Sequence, residues 1–67
     1  MTAVVTPVTG LDLKLKRVAA GVTATALAAE IGVGRSSVSN VERELRPTPY
    51  RVRVYLGALE RLGRPNT

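Results

Sequence analysis

Ser36, Ser37 and Ser39 crowd one short polar stretch and are the residues best suited to nucleophilic chemistry. A serine hydroxyl needs a base beside it, and the sequence contains neither histidine nor cysteine. The five carboxylates are dispersed, and the nearest two, Glu42 and Glu44, are expected to point to different helix faces. No acid–base couple, thiolate or ordinary zinc site can be assembled from these side chains. Catalytic residues, metal ligands and cofactors are therefore all expected to be none. The chain does not read as an enzyme.

What remains is charge. Ten Lys+Arg against five Asp+Glu give a net charge of +5. The surplus is uneven: residues 1–33 hold three basic and two acidic groups, and residues 34–67 hold seven and three. Such an imbalance attracts a polyanion, either nucleic acid or an anionic membrane. No stretch is apolar and long enough for a signal peptide or a membrane helix. A cytoplasmic location is expected.

The scaffold that positions these groups must be small. Sixty-seven residues, 45% of them hydrophobic, suffice for one compact domain. Phe and Trp are absent, so the core is aliphatic with two tyrosines, a composition that favours closely packed helices. Residues 1–9 read as an extended or disordered arm, with a short edge strand at Val4 and Val5 as the alternative. Thr9 and Asp12 form a capping box for a first helix from Gly10 to Ala20. Its apolar stripe is expected to be Leu11, Leu15, Val18 and Val22, with Leu13 off the stripe. Thr23 caps a second helix over 24–31, ended by Gly32, and Gly34 is a weak cap for a third over 35–42. Thr48 and Pro49 start a fourth, with Val52, Tyr55, Leu56, Leu59 and Leu62 inward. Four helices and short connections predict an all-α domain over 10–63, with a short tail at 64–67.

One spacing is more informative than the rest. Two helices that cross steeply through a tight turn need a small residue on the first, and Ala28 is small. Four positions on, the turn needs a residue that tolerates positive φ, and Gly32 does. Six further on, a branched apolar residue must plug the corner, and Val38 fits. This is the arrangement of a helix-turn-helix, whose second helix enters the major groove of DNA.

From Leu13 to Leu59 the chain resembles the helix-turn-helix family of phage repressors and Cro proteins, the XRE family. The resemblance is carried by Lys16-Arg-Val-Ala-Ala-Gly-Val-Thr, Leu27-Ala-Ala-Glu-Ile-Gly-Val, Ser36-Ser-Val-Ser-Asn-Val-Glu-Arg, and Pro47 through Leu59. It implies a compact four-helix, lambda-repressor-like domain behind a flexible N-terminal arm. It also implies roles. Arg35, Ser36, Ser39 and Asn40 on the third helix would read base edges, Arg through guanine O6/N7 and Asn through adenine N6/N7. Thr23, Thr25, Ser37, Arg43, Arg46 and Arg51 would hold the DNA backbone, helped by the amino termini of helices two and four. Arg17 and Glu42 would form a structural salt bridge. Lys14, Lys16, Arg53, Arg61 and Arg64 read as ordinary solvated charge.

The chain also departs from the family pattern. Ala24 stands where relatives have Gln, Gly34 where they have Ser or Thr, and Glu44 where they have Gly. The leading expectation is a sequence-specific, double-stranded-DNA-binding transcriptional regulator, a small repressor or Cro-like protein. The alternatives are a protein-interaction module, such as an antitoxin or anti-repressor, and an architectural phage excision factor. The expected partner is an operator DNA, without membrane or small-molecule ligand. A homodimer would use either Val4, Val5 and Val8 of the arm or Tyr50, Val54 and Ala58 of the fourth helix.

Overall fold

The computed structural model describes residues 8–63. Its elements are α1 (Gly10–Ala19), α2 (Ala24–Ile31), α3 (Arg35–Arg43) and α4 (Pro49–Gly63), with no strand among the described residues. The fold is all-α. Val4, Val5 and the tail 64–67 lie outside the described residues. Val8 packs against the core, and Thr9, extended in its backbone, caps α1.

The helix starts follow from local chemistry. Thr9 Oγ1 accepts from the Asp12 N–H at 3.1 Å, and Asp12 Oδ2 accepts from the Thr9 N–H at 3.1 Å. Thr23 accepts from the Ala26 N–H at 3.0 Å, and Thr48 from the Arg51 N–H at 3.2 Å. Each bond satisfies an amide that the helix itself leaves free. Gly34 offers no side chain, and α3 starts without such a cap.

Leu13, Leu27, Ala28, Val38, Tyr55, Ala58 and Leu59 form the core, with α1 and α2 each packed against both α3 and α4. Two expectations about facing are overturned. In α1 the inward residues are Gly10, Leu13 and Arg17, whereas Leu11, Leu15 and Val18 are exposed. The cause is a close approach. A Cβ on Gly10 would lie 2.3 Å from the Val41 carbonyl oxygen, so the start of α1 rests directly on the end of α3. The Gly10 N–H donates to the Glu44 carbonyl at 2.7 Å. With Gly10 fixed there, Leu13 and Arg17 follow at helical spacing and the aliphatic stripe turns outward.

In α4, Ala58 is fully buried and Leu62 is exposed. Ala58 therefore belongs to the core, not to a dimer surface on the fourth helix. Its small side chain suits a helix that must pack against two others at once.

Candidate nucleic-acid interface

The corner between α2 and α3 is built by backbone and small side chains. Gly32 has φ +90°, in the left-handed region where a Cβ is penalised. The N–H groups of Gly32 and Val33 both donate to the Ala28 carbonyl, at 2.8 and 3.0 Å. Ala28 and Val38 are buried against each other's helices, within 3% of full burial. The turn thus closes the end of α2 and fixes the direction in which α3 departs.

Burying Val38 leaves most of α3 outside. Arg35, Ser36, Ser37, Asn40 and Arg43 are exposed, and Ser39 is half-buried at the edge of that face. Arg43 is the last residue of α3 and not part of the loop that follows. A short, polar, cationic helix therefore stands proud of the molecule on an aliphatic base.

A family model described as helix-turn-helix matches residues 13–62. The chain belongs to the XRE-type helix-turn-helix family, the family of Cro and CI-like proteins. No characterised protein and no solved structure matches it. XRE-type domains are DNA-binding regulator modules, and no described helix here is long and apolar enough to cross a membrane.

In this XRE-type domain, α3 is braced from behind by a network that joins three helices. Arg17 Nε donates to Glu42 Oε2 at 2.7 Å and Nη2 to Oε1 at 3.3 Å, while Nη1 reaches the Val22 carbonyl at 2.9 Å. Both side chains are largely shielded, at 11% and 7% exposure, so this pair is little screened by water. The Tyr55 hydroxyl lies against the Glu42 carboxylate and is 3.2 Å from the Leu13 carbonyl oxygen. One hydroxyl proton faces two acceptors, and the charged carboxylate is the stronger.

The titration of the three groups follows from that geometry. Burial pushes Glu42 upward, but hydrogen bonds from Arg17 and Tyr55 outweigh it and leave the carboxyl below its ordinary range. Tyr55 is raised above the usual phenol range, first by burial and then by the Glu42 carboxylate. The hydrogen bond to Glu42 raises Arg17, more than burial lowers it. The network is thus a fixed anion between a cation and a neutral phenol.

The remaining candidate residues are spread around α3. Thr23 is occupied as the cap of α2, and Thr25 is exposed as the second residue of the same helix. Arg46 is exposed in the loop, next to the buried Pro47. Arg51, at the start of α4, donates from Nη1 to Glu44 Oε2 at 2.9 Å. A groove between α3 and α4, open to solvent, is lined by Ser37, Asn40, Tyr50, Arg51 and Val54. Tyr50 and Val54 therefore sit beside α3. Arg61 is not simply solvated: its Nε donates to Glu30 at 2.6 Å and ties α4 to α2.

Tyr55 and Gly10 were not legible as site-positioning residues. A single tyrosine in an aliphatic stripe hints that its hydroxyl has a partner, because a core without Phe or Trp has no need of a ring. Nothing local distinguishes Gly10 from an ordinary helix-breaking glycine.

Proposed function

We propose that the protein is a sequence-specific regulator of transcription that binds double-stranded DNA with α3 in the major groove. The single observation that carries this reading is the exposed polar face of Arg35, Ser36, Asn40 and Arg43, held rigidly from behind by Val38 and Glu42. Arg35 and Asn40 have the bidentate donor and acceptor sets that distinguish guanine and adenine, and Ser36 and Ser39 add small hydroxyls. Arg43 at the end of that face, with Thr23, Thr25, Ser37, Arg46 and Arg51, would neutralise or bond phosphates. The amino termini of α2 and α4 supply further N–H groups to phosphate oxygens.

A domain of this size spans only a few base pairs, so specific affinity calls for two copies on one operator. Regulation would then act by occupancy, the bound operator excluding polymerase, in the manner of a small repressor. Ser36, Ser37 and Ser39 have no base beside them in the sequence, which favours binding over catalysis.

The test is selection of binding sites from random duplexes at two salt concentrations. An enriched twofold-symmetric site, with affinity falling steeply with salt, is the expected result. Equal recovery of all sequences would overturn the base-reading role. Association that ignores salt would point to a protein partner instead.

A further inference from the structure

We infer that Tyr50 is a further DNA contact of this domain, its hydroxyl donating to a backbone phosphate of the strand that borders α3 on the side of α4. The inference rests on the DNA-binding reading above and adds to it a neutral residue that no charge argument would find. Tyr50 is the second residue of α4 and is 69% exposed. Its hydroxyl has no protein acceptor among the described residues, whereas the Tyr55 hydroxyl is engaged by Glu42 and the Leu13 carbonyl. A phenol is an apolar plate with one polar tip, a shape suited to an interface that is apolar at one end and wet at the other.

The position follows from how α3 and α4 are held. Each packs chiefly on α1 and α2 rather than on the other, and an open groove runs between them. Ser37 and Asn40 line its α3 wall, and Tyr50, Arg51 and Val54 line its α4 wall. A helix with its side chains is about 10–12 Å across, and the major groove of B-DNA is about 12 Å wide. With α3 seated there, the two sugar–phosphate strands that bound the major groove must run along its two flanks. The strand on the Ser37 and Asn40 flank therefore passes over the mouth of the α3–α4 groove, and Tyr50 stands on the opposite lip.

Charge decides which residue on that lip is available. Arg51 is the cation there, but its Nη1 lies 2.9 Å from Glu44 Oε2, and Glu44 lines the same groove. The pair carries no net charge. Tyr50 offers a donor with no carboxylate attached to it. Its ring can lie on the apolar edge of a deoxyribose while the hydroxyl reaches the phosphate. A neutral donor neutralises no phosphate and releases no counterion, so its bond adds affinity without adding salt dependence. That separates Tyr50 from every arginine around α3.

Tyr50→Phe removes the hydroxyl and nothing else. The full chain and this variant are titrated against the selected duplex and unrelated duplexes over a series of salt concentrations. Tyr50→Phe is expected to bind every duplex about tenfold more weakly, because one bond to a charged acceptor is lost. Its plot of log affinity against log salt should stay parallel to that of the unaltered chain. Its thermal melt should be unchanged, since the side chain is exposed. Duplexes in which one phosphate at a time is replaced by a neutral methylphosphonate then locate the contact. At one phosphate beside the base that Asn40 reads, the replacement should weaken the unaltered chain more than it weakens Tyr50→Phe, and elsewhere the two losses should match. The inference is overturned if Tyr50→Phe binds as the unaltered chain does, if its salt slope falls, or if no phosphate shows this coupling. It is overturned too if Tyr50→Ala alters self-association without DNA, which would give the residue to a protein interface. Any of these results with salt-dependent DNA binding intact rejects the Tyr50 contact and leaves the DNA-binding reading standing. An unaltered chain that binds no duplex overturns both.

Discussion

The Tyr55 hydroxyl of α4 rests on the Glu42 carboxylate of α3, and through Glu42 it reaches Arg17 of α1. Three helices are therefore fixed around one largely shielded anion, and the helix they hold is the one that carries Arg35 and Asn40. Tyr55→Phe keeps the ring and removes only the hydroxyl. It should cost about 1–2 kcal/mol in urea or thermal unfolding at pH 8, because the carboxylate and the Leu13 carbonyl lose a donor. The phenol is raised in the folded state, so its contribution is complete below the unfolded value of about 10 and is lost as pH rises through the folded value. The gap between wild type and Tyr55→Phe should therefore narrow between pH 10 and pH 11. A constant gap would mean that the hydroxyl makes no bond worth keeping.

Glu42 titrates in the opposite sense. Its carboxyl is lowered in the folded state, so its contribution is present above the unfolded value of about 4.3 and is lost as pH falls through the folded value. Glu42→Gln leaves Arg17 shielded without its counter-charge and should destabilise by about 3 kcal/mol at pH 7. Melts from pH 7 to pH 2 should show a steep acid limb for wild type and a shallower one for the variant. Parallel acid limbs would remove Glu42 from the acid transition.

Gly10 and Gly57 predict opposite outcomes for one kind of substitution. Alanine is the better helix former by about 1 kcal/mol, so propensity alone favours both replacements. At Gly57 the added Cβ would meet only Arg61 Nη1 at 3.7 Å, and Gly57→Ala should stabilise by about 0.5–1 kcal/mol. At Gly10 the Cβ would fall 2.3 Å from the Val41 oxygen and 2.6 Å from the Glu42 carbon, both backbone. Gly10→Ala must push α1 off the end of α3 and should destabilise by about 1–3 kcal/mol. Thermal melts of the two variants side by side separate packing from propensity.

These contrasts mark what the sequence discloses. Thr9, Thr23, Thr48 and Gly32 act through neighbours three or four residues away, and such local chemistry is legible in a string of letters. The corner of Ala28, Gly32 and Val38 is also local, spanning two short helices. The facing of α1 is not. It depends on Gly10 meeting Val41 and Arg17 meeting Glu42 across 25 or more positions, and those meetings outrank the aliphatic stripe. Likewise Arg61 reads as solvated charge and Arg51 as a backbone contact only, because Glu30 and Glu44 approach them only in the folded chain. Long-range pairing of exposed charges leaves no periodicity to find.

Glu44 holds Arg51 as a phosphate would. The pair is exposed, so Glu44→Gln should change stability by less than about 1 kcal/mol. Its effect on DNA should be larger, because Arg51 is released to meet a phosphate. Affinity at low salt is expected to rise severalfold, and the gain should vanish in an Arg51→Ala background. Fluorescence anisotropy on the selected duplex measures both. A gain that survives Arg51→Ala would assign the effect to general repulsion rather than to this pair.

Asn40 and Arg46 separate reading from gripping. Asn40 is exposed one turn along α3 from Ser36, and its side-chain amide can match the N6/N7 edge of a single adenine. Asn40→Ala should cost about 1–3 kcal/mol on the selected site and leave mutant sites at that position nearly unaffected. Arg46 lies in the loop after α3 and offers charge without a fixed base partner. Arg46→Ala should weaken binding to every duplex alike and lower the salt slope by about one. Titrations across a panel of single-position operator variants at two salt concentrations resolve the two patterns. Were Asn40→Ala to lower all affinities equally, the amide would be holding backbone, and base reading would fall to Arg35, Ser36 and Ser39.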